Sequence, residues 1–447
     1  MNLYRMLNHR EKQGRPVRVG LIGAGKFGSM FLAQARFTKG LHILAVADLL
    51  PDRARQSMVN TGWSDDQLEA ADFSRAFATG ATHITDDSQA LIAADGLDVV
   101  IDATGHPAAG VKHARLCREH GRHLVMVNVE ADALVGPLLA RQAEAAGLVY
   151  SLAYGDQPAL ICEMIDWART SGLGVVAAGK GTKYLDEYLS STPETVWQHY
   201  GLTAEQATAG GMNPQMFNSF LDGTKSAIEM AAVANATGLK VAPQGLTFPP
   251  CGTDELATVL SPPELGGQLH ARGQVEVISS LYRDGRPVER DLRWGVFVTF
   301  EAPSDYAARC LGEYGLSTDA TGRISAMYKP YHLIGLELGI SVASAALRNE
   351  PTGSATDFVA DVVAVAKRDL KMGEVLDGEG GFTVRGQLMP SADSLTAAAL
   401  PLGLAHNIPM ARPVKANQIL SWDDVVTDPD DDTVRTRREM EMVFASH

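Results

Sequence analysis

The sequence predicts an α/β protein: a doubly wound parallel sheet at the front, a second domain of α+β character, and a small β-rich module near the end. Three observations predict it. The front third alternates short apolar runs with helical stretches, its first strand runs straight into a glycine-rich turn, and from about residue 159 helices mix with longer strands.

Val17 to Ile22, VRVGLI, reads as a strand, and the helical stretch SMFLAQARF follows the turn Gly23-Ala24-Gly25-Lys26-Phe27-Gly28. In this GxGxxG spacing the first glycine makes a tight turn, the second lets a pyrophosphate approach the backbone, and the third lets helix pack on strand. Lys26 and Phe27 lie in the same turn and join the three glycines as cofactor-binding candidates. A second strand, LHILAVAD, ends in Asp48, where a carboxylate can accept hydrogen bonds from both ribose hydroxyls of an adenosine. This is the Rossmann pattern, and Asp48 favours NAD over NADP by repelling a 2′-phosphate, although Arg53 and Arg55 follow closely. The same residues also allow a ligand-free turn in which Asp48 caps the helix starting near Pro51.

LDVVIDATG (Leu97 to Gly105) and HLVMVNVEAD (His123 to Asp132) read as central parallel strands covered on both faces. Ligands bind outside the carboxyl ends of such strands, so Thr104, Gly105, Asn128 and Glu130 are expected to face the nicotinamide half of the cofactor. GLVYSLAYGDQP adds one more strand and leads into Asp156.

The expected domains are 1–158, the dinucleotide-binding domain; 159–348, α+β, for substrate and dimerisation; 355–430, β-rich; and 431–447, a charged, solvated tail. In the second, a helix near LICEMIDWART, a strand GVVAAGKG and a long helix ending ATGL precede antiparallel-looking strands GQVEVISSLY and WGVFVTFEA.

The run AKRDLKMGEVLDG resembles the start of a SAF domain, a resemblance spanning about Asp357 to Val425. The whole order of GAGKFG, VNVEAD, GKGTKY, DGTKSAIEMAAVANATGL and KPYHL before that module resembles the homoserine-dehydrogenase-like oxidoreductases fused to a SAF domain. Within that group it is most similar to the deoxyxylulose-5-phosphate-reductoisomerase-like enzymes. That resemblance implies reduction and rearrangement of a ketose phosphate with NADPH, and a homodimer or higher oligomer. Three residues depart from the pattern. Val129 follows Asn128 where homoserine dehydrogenases carry a catalytic lysine. Lys225 and Glu229 exchange the charges of the family's G-x-D-x-x-x-K helix. Asp48 stands where an NADPH-dependent relative carries neutral or basic residues.

Lys225 and Glu229, at i,i+4, share a helix face and can act as a coupled acid–base pair; the apolar flanks bury Glu229, which then needs a partner. By alignment with the family, Lys180 and Lys183 of GKGTKY lie at the mouth between the domains, where they hold a phosphate, carboxylate or phenolate. Asp222, which opens DGTKSAIEM, is placed with Lys183 among the substrate-binding residues. His332 is a candidate proton shuttle, and Asp156 a candidate base. The catalytic set is therefore Lys180, Lys225, Glu229, His332 and Asp156.

The formal net charge of −14 repels nucleic acid and an anionic membrane surface. No apolar run approaches the ~18–20 residues of a membrane helix, and the polar stretch from Met1 to Pro16 is not a secretory signal, so a cytoplasmic protein is expected. The four cysteines show no CxxC spacing and the histidines no HExxH, and no metal is assigned.

The functional expectation is an oxidoreductase, NAD preferred, acting on a hydroxyl or carbonyl carbon of a small polar substrate. Two alternatives fit the same residues: a lyase with tightly bound NAD that oxidises an alcohol transiently and releases a small aldehyde such as formaldehyde by a retro-aldol step, and a non-catalytic nucleotide-binding protein.

Overall fold

The computed structural model describes residues 2–209 and 212–445. The chain forms two compact units, one of residues up to Leu160 together with Leu333–Thr356, the other of Ile161–His332 together with the chain from Asp357 onward.

The first unit holds a six-stranded parallel sheet of β1 (Val17–Ile22), β2 (Leu41–Ala47), β3 (His83–Thr85), β4 (Val99–Asp102), β5 (His123–Met126) and β6 (Tyr150–Leu152), in the order β3-β2-β1-β4-β5-β6. The winding reverses between β1 and β4, where Ile22 pairs with Asp102. A crevice for ligands opens at the carboxyl ends of the strands at such a point. The strands are shorter than the apolar runs suggested. β5 stops at Met126, and Val129 to Asp132 begin the helix Val129–Ala145, because the Asn128 side chain caps it by accepting the Ala131 amide (3.2 Å).

Unlike the expected boundary at 348, residues 333–356 return to this first unit. The helix Gly339–Arg348 buries Val342 and Ala343 against Val19, Leu21, Ile101 and Val125 of the sheet. Ser341 Oγ accepts the Tyr154 amide (2.7 Å), and Ser151 Oγ accepts that of Thr352 (2.9 Å). LIGLELGISVA therefore closes the face of a sheet that it follows by some two hundred residues, a pairing local periodicity does not reveal.

The second unit contains the mixed sheet β10-β9-β7-β8, built from β7 (Gly174–Thr182), β8 (Gln274–Ser279), β9 (Val296–Glu301) and β10 (Ile324–Lys329). Its two antiparallel-looking strands do not pair with each other: β8 runs parallel to β7, while β9 is antiparallel to β7 and β10. The helix Thr224–Thr237 has no exposed residue and touches β7 and β8 as well as β11 (Ala360–Ala366) and β13 (Val384–Pro390). A helix apolar on all sides requires such a sandwich. Its Asn235 is fully buried, its Oδ1 accepting the amides of Val359 and Ala360 (2.8 Å each). β11 pairs with β13, and β12 (Val375–Asp377) with β14 (His406–Pro409), so the β-rich module belongs to the same compact unit as the mixed sheet.

The tail is not a solvated end over its described part; residues 446 and 447 lie outside the described residues. The helix Asp432–Phe444 docks through Arg437, which is fully buried, donates to both carboxylate oxygens of Asp361 (3.1 and 2.6 Å) and pairs with Glu441 (2.9 Å). Removing one partner of a buried ion pair costs about 3–5 kcal/mol. Arg437→Met is accordingly expected to lower stability by about that amount in urea unfolding, with Asp361→Asn in the same chain recovering part of it.

Asp132 is buried within the first unit, accepts a hydrogen bond from the Tyr150 hydroxyl (3.0 Å), and has its carboxyl pushed up by burial to about 7. Between its ordinary 3.8 and about 7 the folded chain keeps a proton that the unfolded chain has released. This group therefore removes stability as pH rises through that window, at about 1.4 kcal/mol per pH unit. Urea unfolding between pH 5 and about 7 should show this slope, and Asp132→Asn should flatten it.

Candidate functional site

In the first unit the glycine turn lies at the reversal of the sheet. Gly23 has φ +97°, and a Cβ there would lie 2.6 Å from the Ala103 carbonyl oxygen, at the strand beside it. A Cβ on Gly28 would lie 2.3 Å from the Gly23 oxygen, so the helix Lys26–Ala35 can pack this closely only with glycine. Gly25, the N-cap, has an ordinary φ of −69° and would meet nothing within 4 Å. It marks an open cradle in front of helix N–H groups that lack intrahelical acceptors, the setting in which a diphosphate binds. Lys26 is exposed beside it, while Phe27 packs partly into the core.

The Asp48 carboxylate is engaged by the protein itself. Its side chain is 2% exposed, and its carboxylate accepts the amides of Ala24 (2.9 Å) and Leu50 (3.0 Å) and both contacts from Arg53 (2.9 Å). Burial works against the charge, but the Leu50 and Ala24 amides and the Arg53 guanidinium outweigh it and hold the carboxyl below its usual range. Asp48 therefore ties down the glycine turn, and the group presented to solvent there is Arg53, 59% exposed. This also offsets the charge repulsion on which a preference for NAD over NADP rested.

Two of the residues expected around the nicotinamide, Thr104 and Asn128, belong to one network. The Thr104 amide and hydroxyl donate to Asp102 Oδ1 (3.0 and 2.7 Å), and Asn128 Nδ2 donates to Thr104 Oγ (3.1 Å) and the His106 carbonyl (2.9 Å). His113 Nδ1 lies 2.6 Å from the other Asp102 oxygen, and its Nε2 lies 3.0 Å from Ser88 Oγ. Asp102, His113 and Ser88 were not singled out from the sequence; the signal available was an aspartate ending the apolar strand VVID. Gly105 is exposed with φ +66°, and Glu130 stands half-buried in the first turn of its helix. Asp156 also belongs to this unit, where its Oδ1 accepts the Gln157 amide (2.9 Å) at the start of the helix Gln157–Thr170.

In the second unit the partner of Glu229 is Lys180 rather than Lys225. The two side chains are 5% and 7% exposed and share a short charge-assisted hydrogen bond. Lys180 extends from the central strand β7, and Glu229 from the buried helix, so the pair links sheet and helix across 49 residues of sequence. Lys225 occupies the first turn of that helix, half-buried. Asp222 is not presented to a substrate: it is fully buried, pairs with Lys367 of the β-rich module (2.7 Å) and accepts the Thr224 amide (3.0 Å). Lys183 donates to the His199 carbonyl, and His332 Nδ1 lies 2.7 Å from the Trp294 carbonyl oxygen. Among the described residues no group of three or more His, Cys, Asp or Glu is placed to hold a metal ion, and no helix is long and apolar enough to cross a membrane.

Residues 155–338 match the family model described as the catalytic domain of oxidoreductase DRL, and residues 361–426 match that of the SAF domain. Over these two stretches the chain is similar to an oxidoreductase catalytic domain and to a SAF domain. None of the curated proteins matches the chain. Among solved structures it is similar to an NAD binding oxidoreductase from Klebsiella pneumoniae (16% identity, 72% of this chain and 67% of that one, TM-score 0.30). It is also similar to myo-inositol dehydrogenase from Lactobacillus casei in complex with NAD(H) and myo-inositol (13%, 40% and 50%, 0.29). A third is an oxidoreductase from Agrobacterium radiobacter in complex with NAD+, L-tartaric acid and magnesium (17%, 37% and 44%, 0.27). The chain spans about half the length of the latter two.

A double-mutant cycle tests the buried pair. Lys180→Met and Glu229→Gln are each expected to cost about 3–5 kcal/mol in urea unfolding, and the double variant less than the sum, since each single change strands a charge.

Proposed function

We propose that the chain catalyses hydride transfer with a nicotinamide nucleotide, the first unit holding NAD(P) and the second holding a small polar substrate at a hydroxyl or carbonyl carbon. The observation that carries this reading is the glycine turn at the reversal of the parallel sheet, with Gly25 open in front of a helix N-terminus. When bound, the nucleotide supplies hydride exchange.

The chain's own residues do the rest. The Gly23–Gly28 turn receives the diphosphate, braced from behind by Asp48. Thr104 and Asn128, fixed through Asp102 and His113, line the place for the nicotinamide. Lys180 holds the substrate oxygen and moves its proton at Nζ, while the Glu229 carboxylate keeps the ammonium in place inside a site closed to water. Lys225 and His332 complete the polar groups of the second unit in this reading. A ketose phosphate, rearranged before reduction, is its finer form.

The test is titration of NADH and of NADPH followed by nucleotide fluorescence. Gly25 has an ordinary φ and open space, so Gly25→Val should still fold, with a small loss of Tm from a poorer N-cap, yet weaken nucleotide binding about tenfold or more by filling the cradle. Absence of binding by both nucleotides to the unmodified chain would overturn the reading.

A further inference from the structure

The end of the β7–β9 pair gathers two cations whose side chains make no ion pair among the described residues, although the Asp291 carboxylate accepts the Arg293 amide (2.8 Å). β7 and β9 are in register at Lys180 and Val296, and the Gly181 amide donates to the Gly295 carbonyl (3.0 Å). That pairing brings Lys183, just beyond β7, toward Arg293, just before β9. The ring of Tyr200 connects them: Lys183 Nζ is 5.7 Å and Arg293 Cζ 5.9 Å from its centroid. Lys183 also lies 5.7 Å from the Tyr188 ring, and Arg293 4.7 Å from that of Trp294.

Four other cations of this unit are matched by carboxylates. Lys180 pairs with Glu229, Lys367 with Asp222, Arg290 with Asp254 and Arg437 with Asp361. Among the described residues neither Lys183 nor Arg293 makes an ion pair. Both are half-buried, and burial, followed by the Arg293 charge, pulls the Lys183 ammonium below its usual range. A chain of net charge −14 has many carboxylates available, yet two like charges stand together here between aromatic walls. Like charges in a partly desolvated place repel each other, and an anion removes that cost.

We propose that Lys183 and Arg293 form the binding site for the anionic oxygen group of the substrate, a phosphate monoester or a carboxylate. This rests on the reading that the second unit holds the substrate. Arg293 supplies a planar fork able to take two oxygens, and Lys183 a point charge on a flexible stem. Lys183 also donates to the His199 carbonyl, which orients the ammonium.

The experiment uses the full chain without nucleotide, adding inorganic phosphate or, separately, acetate, with ionic strength held constant by chloride, and following Tm. A saturable rise with phosphate is expected, its half-point moved about tenfold or more upward in Lys183→Gln and in Arg293→Gln and largely kept in Arg293→Lys. Affinity for NADH should be unchanged in all three, which separates this site from the glycine turn. A response to phosphate alone assigns a phosphate monoester, and an equal response to acetate assigns a carboxylate. The proposal is overturned if neither anion acts beyond chloride, or if the rise survives intact in both glutamine variants. Should the phosphate effect follow these variants while no nicotinamide nucleotide binds, the anion site stands and the hydride-transfer reading falls.

Discussion

A helix with no solvent face must be covered on every side, and Thr224–Thr237 places that demand at the centre of the second unit. The mixed sheet covers it through β7 and β8, and the β-rich module covers it through β11 and β13. The β-rich module is thus a wall of the same core as the mixed sheet. It supplies Lys367 to the buried Asp222, and the Gly386 amide to the Thr224 hydroxyl (2.8 Å) at the start of the helix. Once the helix is enclosed, Glu229 has no access to water, and Lys180 on the strand opposite becomes the condition for its charge.

The first unit solves a different problem with the same physics. Its glycine turn leaves the N–H groups of a helix start without intrahelical acceptors and is nonetheless held rigid. Rigidity comes from behind: Asp48 accepts the Ala24 amide, and Gly23 abuts Ala103 of the neighbouring strand's end. Asp102 does for the next loop what Asp48 does for the glycine turn, accepting the amide and hydroxyl of Thr104 while His113 holds its other oxygen. In both cases a buried carboxylate at a strand terminus orders a loop at the carboxyl end of the sheet.

Much of this was legible in the chain. VRVGLI-GAGKFG specifies strand, turn and helix through local rules, because β-branched runs, glycine's conformational freedom and helix initiation act within a few residues. The AIEMAAVANA run announces a fully buried helix for the same reason, and with it a partner for Glu229. The resemblance of AKRDLKMGEVLDG to a SAF domain agrees with the match over residues 361–426. Less visible was what the polar residues do, because an acidic residue at a strand end reads identically whether it faces a ribose or a backbone amide.

By itself, then, the sequence determined the strand, turn and helix around the glycines, the buried helix of the second unit, and that burial would force Glu229 into a pair. Tertiary structure alone decided the pairings: Glu229 with Lys180 across 49 residues rather than Lys225 four away, Arg437 with Asp361, Lys183 beside Arg293, and residues 333–356 back against the first sheet. The physical reason is range. Backbone preference and hydrophobic period act along the chain, whereas a buried charge is stabilised by whichever opposite charge the folded backbone carries to within hydrogen-bonding distance.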